Sequence, residues 1–221
     1  MTVLLVLFTF VAFLLIDHFR SHGVVQPTLE VAAAETLPRL QPAIVAGFRV
    51  PENLRYHPGH TWALQESPNL VRVGMDDFAT KLTGTIGTIT LPQRGQWIRQ
   101  GQKMCTVHRD GSAVDMVSPI EGTVSDINEA VAKNPKLALG DPYGDGWLVT
   151  VQAPDTKTNF RNLLGGALAR SWMEEAATRL QRRMPIALGA LAQDGGVAVD
   201  DLTAELPDQE WLPLAKEFFL S

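Results

Sequence analysis

The spacing of apolar and polar positions changes several times along the 221 residues. Residues 1–16 (MTVLLVLFTFVAFLLI) hold no charged side chain. As a helix they span roughly 24 Å, near the lower limit for crossing a bilayer, and His18 and Arg20 can snorkel to cover the deficit. A cleaved signal peptide wants basic residues before its apolar run and a small-x-small site just after it. Here no Lys or Arg precedes the run and Asp17-His18-Phe19-Arg20 follows it, so the pattern predicts a retained transmembrane anchor over 1–20. Arg20 on the far flank places the C-terminal bulk in the cytoplasm by the positive-inside tendency. Residues 21–50 read as a linker, with Pro27, Pro38 and Pro42 against a long helix and Gly23 and Gly47 adding turns.

From Trp62 to Val151 the pattern becomes one of short β segments. Residues 61–64 and 70–73 flank the turn signal Ser67-Pro68-Asn69. Asp76 or Asp77 is placed to cap a brief helix through Leu82 that Gly84 stops. An alternating stretch over 86–91 precedes bends at Gly95 and Gly101. Residues 104–108 and 113–117 flank Asp110-Gly111, a pair that tolerates positive φ and favours a tight hairpin. Pro119 and Gly122 mark a bend before a strand at 123–127. Residues 128–139 read as a helical turn and irregular chain, and 141–146 as a tight turn into a strand at 147–151.

Beyond Asp155 the spacing turns helical. Phe160, Leu164, Leu168, Trp172, Ala176, Leu180 and Met184 recur every fourth residue, an apolar stripe that Gly165-Gly166 can break and Pro185 ends. A last helix starts near Asp208 and uses Trp211, Leu214, Ala215, Phe218 and Phe219. Both stripes are expected to pack on the β domain.

Composition narrows the function. Hydrophobic content is 45%, charged content 19% and formal net charge −5, so a folded body is expected and no nucleic-acid partner. The single cysteine, Cys105, makes no internal disulfide and falls in a strand, where a buried inert thiol is expected. His57-x-x-His60, with Cys105 and His108, offers candidate metal ligands, but a zinc site wants three or four that converge. Asp76-Asp77 and Glu174-Glu175 are adjacent carboxylates that point apart on a helix, which suits a cap and a solvated face better than an acid/base dyad. No phosphate loop or nucleophile elbow is present, and no enzymatic activity is expected.

A series of short matches resembles the H protein of the glycine cleavage system, the lipoylated shuttle of that complex. It comprises Tyr56-His57-Pro58-Gly59-His60-Thr61-Trp62, Val73-Gly74-Met75-Asp76-Asp77-Phe78-Ala79 and Leu91-Pro92-Gln93-Arg94-Gly95. It continues through Ser118-Pro119-Ile120-Glu121-Gly122-Thr123-Val124, Asn128-Glu129-Ala130, Asn134-Pro135 and Asp141-Pro142-Tyr143-Gly144-Asp145-Gly146-Trp147-Leu148. The resemblance implies a mainly β, barrel-sandwich hybrid (lipoyl-domain-like) fold. It also implies where the cargo lysine belongs: seven residues before the Ser-Pro bend, with a glutamate three residues earlier. Those positions hold Gly111 and His108, and Thr61 stands for the acidic residue of the family's His-Glu-Trp element. Glycine has no amine to form the amide to lipoate.

The expectation from sequence is therefore an anchor at 1–20, a linker at 21–50, an H-protein-like β domain at 51–155 and a helical extension at 156–221. No cofactor and no small-molecule substrate are expected. The expected role is a non-catalytic, non-lipoylated accessory or structural subunit of a membrane-associated complex. It would be held in the cytoplasmic membrane by a single pass, with its soluble domain facing the cytoplasm. Its partners would be protein subunits and inner (cytoplasmic) membrane lipid, and the candidate docking element is the tip His108, Arg109, Asp110, Gly111 and Ser112. The alternative is a lipoyl carrier of glycine cleavage or a related one-carbon or sulfur pathway.

Overall fold

The first described elements are two short strands within the stretch read as linker, in a computed structural model that describes residues 43–184, 197–204, 206 and 208–220. The anchor and the linker up to residue 42 lie outside the described residues. Strands β1 (Ala43–Val45) and β2 (Phe48–Val50) form a hairpin through Ala46 and Gly47, both at positive φ. From residue 43 onward the stretch read as linker lies on the folded body: Val45, Phe48 and Val50 are buried core residues. Removing those side chains from water is what folds this stretch onto the body.

The next elements follow the sequence pattern closely. They are β3 (Arg55–His57), β4 (Thr61–Ser67), β5 (Leu70–Met75), helix α1 (Asp77–Thr83), β6 (Thr88–Thr90), β7 (Trp97–Ile98) and the hairpin β8 (Lys103–Arg109) and β9 (Ser112–Val117). Then come β10 (Gly122–Ile127), α2 (Glu129–Lys133), α3 (Lys136–Gly140) and β11 (Val149–Gln152). A six-stranded sheet runs β3-β4-β5-β11-β10-β7, and a three-stranded sheet runs β6-β8-β9; all pairings are antiparallel. The protein is mainly β, as expected. The turn before β11 is held because Asp141 accepts the N–H groups of Gly144 and Asp145 while Trp62 Nε1 donates to the Pro142 carbonyl at 3.0 Å.

Three helices complete the described chain: α4 (Thr156–Arg161), α5 (Gly166–Arg183) and α6 (Asp208–Phe219). Met173, Ala176, Leu180, Trp211, Ala215, Phe218 and Phe219 join the same buried cluster as the strand residues, and Pro42–Ser221 is one packed unit. The break falls at Gly165-Gly166 and the end before Pro185, as the sequence suggests. The buried face of α5 departs from the every-fourth-residue stripe, however. Leu168 is 62% exposed while Ala169, Met173, Ala176 and Leu180 are buried, because a strict four-residue spacing drifts around a helix of 3.6 residues per turn and the buried face follows mixed three- and four-residue steps. Among the described residues no helix is long and apolar enough to cross a membrane.

Candidate functional site

The β8–β9 hairpin closes through a two-residue turn. Asp110 (φ 46°) and Gly111 (φ 87°) both have positive φ, and Arg109 pairs with Ser112. This is the geometry Asp-Gly predicts. A Cβ added at Gly111 would meet nothing within 4 Å, so the position is open to solvent but suited to glycine by its backbone. The tip sequence from His108 to Ala113 contains no lysine.

The five residues expected to form a polar docking tip do not act together. Asp110 and Gly111 are exposed, Ser112 is half-buried, and half-buried His108 holds Thr90 Oγ1 at 3.0 Å through Nε2. Arg109 faces inward and is only 5% exposed, which corrects its place among the docking residues. Its Nη1 donates to the Thr83 carbonyl at 3.0 Å and to Thr203 Oγ1, and its Nη2 donates to the Thr203 carbonyl at 3.1 Å. The guanidinium also lies 5.4 Å from the Trp211 ring centre. The signal was available in the strand's period of two, since Cys105 and Val107 share the buried face that Arg109 ends.

Behind the hairpin, α1 has all seven residues buried and both ends closed by side chains. At its start Asp76 Oδ1 accepts the Ala79 N–H at 2.7 Å, so the expected cap is present. Asp76 Oδ2 lies 2.9 Å from His60 Nδ1. An ionised carboxylate only accepts, so Nδ1 donates in this contact and Nε2 takes no part in it. That Nε2 is buried with no hydrogen-bond partner among the described residues. The His60 ring stacks on Phe78 at 4.0 Å and lies 4.7 Å from Trp172 and 6.0 Å from Phe218. Asp77 is fully buried too, paired with Arg49 at 2.7 Å and Lys81 at 3.3 Å. Tyr143 links the same region, donating to the Arg49 carbonyl at 2.6 Å and accepting the Asp77 N–H at 2.9 Å. Burial pushes the Tyr143 phenol well above its ordinary value, so it stays protonated. The sequence offered no sign of the His60–Asp76 pair, because sixteen residues separate the two and only the β4–β5 pairing brings them together.

The remaining candidates are structural. His57 Nδ1 accepts the Gly59 N–H at 3.0 Å, and its pKa is lowered by burial and then by the neighbouring His60. Among the described residues no group of three His, Cys, Asp or Glu side chains is placed to hold a metal ion. Burial pushes the Cys105 thiol up to about 12, which removes the thiolate a reactive cysteine needs. Lys103, the lysine nearest the tip in sequence, starts β8 at the opposite end of the hairpin and pairs with Asp115 at 2.8 Å. Burial opposes the Asp115 charge, but hydrogen bonds from Lys103 and Thr106 outweigh it and hold that carboxyl below its usual range.

The body carrying this geometry matches the family model described as Glycine cleavage H-protein over residues 54–176, more than half of the chain. This chain belongs to the glycine cleavage H-protein family. The glycine cleavage system H protein of Coprothermobacter proteolyticus is 36% identical over 108 residues, covering 49% of this chain and 85% of that protein. A probable glycine cleavage system H protein 2 of Sulfurisphaera tokodaii is 32% identical over 136 residues, covering 60% and 91%. A crystal structure of a glycine cleavage system H protein from Mycobacterium marinum aligns at TM-score 0.48 and 24% identity, over 57% of this chain and 98% of that one. The mainly β body is consistent with the lipoyl-domain-like fold that the resemblance implies. The matched region ends inside α5, so the remainder of that helix and all of α6 lie beyond it.

Proposed function

We propose that this chain is a non-catalytic H-type docking protein whose hairpin carries no lipoyl group. The observation behind this reading is the tip itself. A two-residue turn with Gly111 at its outer corner offers no primary amine, and the adjacent Arg109 is turned inward. A carrier must present a reacting group on an exposed element, and this tip presents none. The apolar run at 1–16 adds tethering to the cytoplasmic membrane, with the folded body facing the cytoplasm and protein subunits of a membrane-associated complex as partners.

A second reading is a lipoyl carrier of glycine cleavage or a related one-carbon or sulfur pathway. The names of the relatives speak for it more directly than for a cargo-free subunit. It requires attachment away from the tip, and Lys103, with a 59% exposed side chain, is the amine nearest the hairpin tip in sequence. One preparation separates the two: the tagged chain purified from native membranes in mild detergent, with its intact mass and co-eluting proteins measured together. Unmodified mass with membrane-complex subunits is the expected result. A lipoyl increment, or glycine cleavage enzymes as the stoichiometric partners, replaces the first reading with the second. Release of the chain by alkaline carbonate would remove the tether from either.

A further inference from the structure

Residues 197–204 and 208–219 close over the body through a polar cluster, an aromatic cluster and Ala198, whose N–H donates to the Gly47 carbonyl at 2.8 Å and whose carbonyl accepts from Lys81 Nζ at 2.7 Å. The polar cluster sits at the C-terminal end of α1, where helix carbonyls lack intrahelical donors. Leu202 N–H donates to the Lys81 carbonyl at 3.1 Å. The Leu82 carbonyl accepts from Trp211 Nε1 at 3.0 Å and from Thr203 Oγ1 at 3.2 Å. Arg109 joins this cluster to the hairpin through Thr83 and Thr203. The aromatic cluster sits at the other end of α1: Phe218 lies 5.0 Å from Phe78 and 6.0 Å from His60, and Arg179 of α5 covers the outer face of Phe218 at 4.7 Å.

Two features mark this closure as imperfectly matched. Among the described residues His60 Nε2 is buried without a hydrogen-bond partner, and a polar atom left so costs about 1–3 kcal/mol. Helix α6 also contains Pro213, which supplies no N–H to the helix interior. A helix of twelve residues is marginal in isolation, so α6 owes its stability to what it packs against.

We propose that residues 197–204 and 208–219 form a strap that opens over the aromatic cluster of His60, Phe78 and Trp172, with Arg109 as its latch. Closed, it shields His60 and adds the Thr203 bonds to the direct Arg109–Thr83 link between hairpin and α1. Open, it exposes His60 Nε2 beside Phe78 and Trp172 and releases Arg109, next to the hairpin turn, from Thr203. The inference stands apart from the question of lipoyl cargo, since no step in it uses Gly111.

Hydrogen exchange on the full chain tests it, with residue-mapped carbethoxylation reporting access to His60. Amides of 208–219 should exchange at least about tenfold faster than those of β5 and β11, as a sub-global opening requires. Arg109→Lys keeps the charge but loses the fork that reaches both Thr83 and Thr203. It should speed exchange of the strap by about a further tenfold and raise His60 modification in step, leaving β5 and β11 unchanged. Thr203→Val, which removes the hydroxyl between Arg109 and Leu82, should act in the same direction and serves if the arginine variant does not fold. Exchange of the strap at the rate of β5 and β11, with all three shifting together in the variant, would make it an integral part of the core and overturn the proposal. Unchanged protection of His60 alongside a faster-exchanging strap would overturn it as well.

Discussion

At its first turn α1 is closed by Asp76, one residue upstream; at its last turn the carbonyls of Lys81, Leu82 and Thr83 are met by Leu202, Thr203, Trp211 and Arg109. The first closure is local and lies within the family-matched region. Its partners, His60 and Tyr143, lie there too, and only Arg49 comes from outside it. The second draws on residues 26 to 129 positions away, most of them beyond residue 176. One helix thus joins a body shared with the family to a segment outside the match.

The largest effect that would break this contrast is at the distant end. Trp211→Ala removes a fully buried ring and one donor to Leu82, and should cost about 3–5 kcal/mol in urea unfolding. A loss under about 1 kcal/mol would mean that α6 contributes little to the packed state. At the local end, Asp76→Ala deletes the cap and strands the His60 Nδ1 proton, and should cost about 2–3 kcal/mol. If Asp76→Ala proved the costlier of the two, the ranking of the ends would reverse.

Smaller effects separate the tip from both ends. Gly111→Lys has open space but a backbone at φ 87°, so it should cost about 1 kcal/mol from conformation alone and leave the near-ultraviolet circular dichroism unchanged. That variant also sharpens the reading of cargo: an intact mass after incubation with a lipoylating enzyme shows whether the scaffold still presents a lysine correctly. The smallest expected effect is titration of His57. Its folded pKa lies below the ordinary 6.5, so the unfolded chain binds the proton more readily. The associated stability is therefore present above about pH 6.5 and is lost as pH falls toward the depressed value. Melting temperature should drop across that window, and His57→Gln should flatten the drop; an equal drop in the variant would assign it to other groups.

Much of the fold was legible in the sequence because its signals are local. Asp76 and Gly84 bound a helix by cap chemistry, Asp110-Gly111 by positive φ, and alternating Val71, Val73 and Val149, Val151 by the two-residue period of a strand. The 43–50 hairpin was missed because its apolar residues are too few to show a period and Pro42 suggests a break. The site was harder to read. Asp110-Gly111 announced the turn, but not that Arg109 would leave the tip.

What the sequence alone determined is the order of elements, the turn at the tip and the missing amine at position 111, since each depends on a residue and its immediate neighbours. Only the tertiary structure decided that Arg109 is buried, that His60 pairs with Asp76 and has no Nε2 partner among the described residues, and that Leu202, Thr203 and Trp211 close the end of α1. Those outcomes depend on which carbonyls and rings meet after the sheets pair. Distance along the chain carries no information about such meetings until burial makes an unpaired polar group costly.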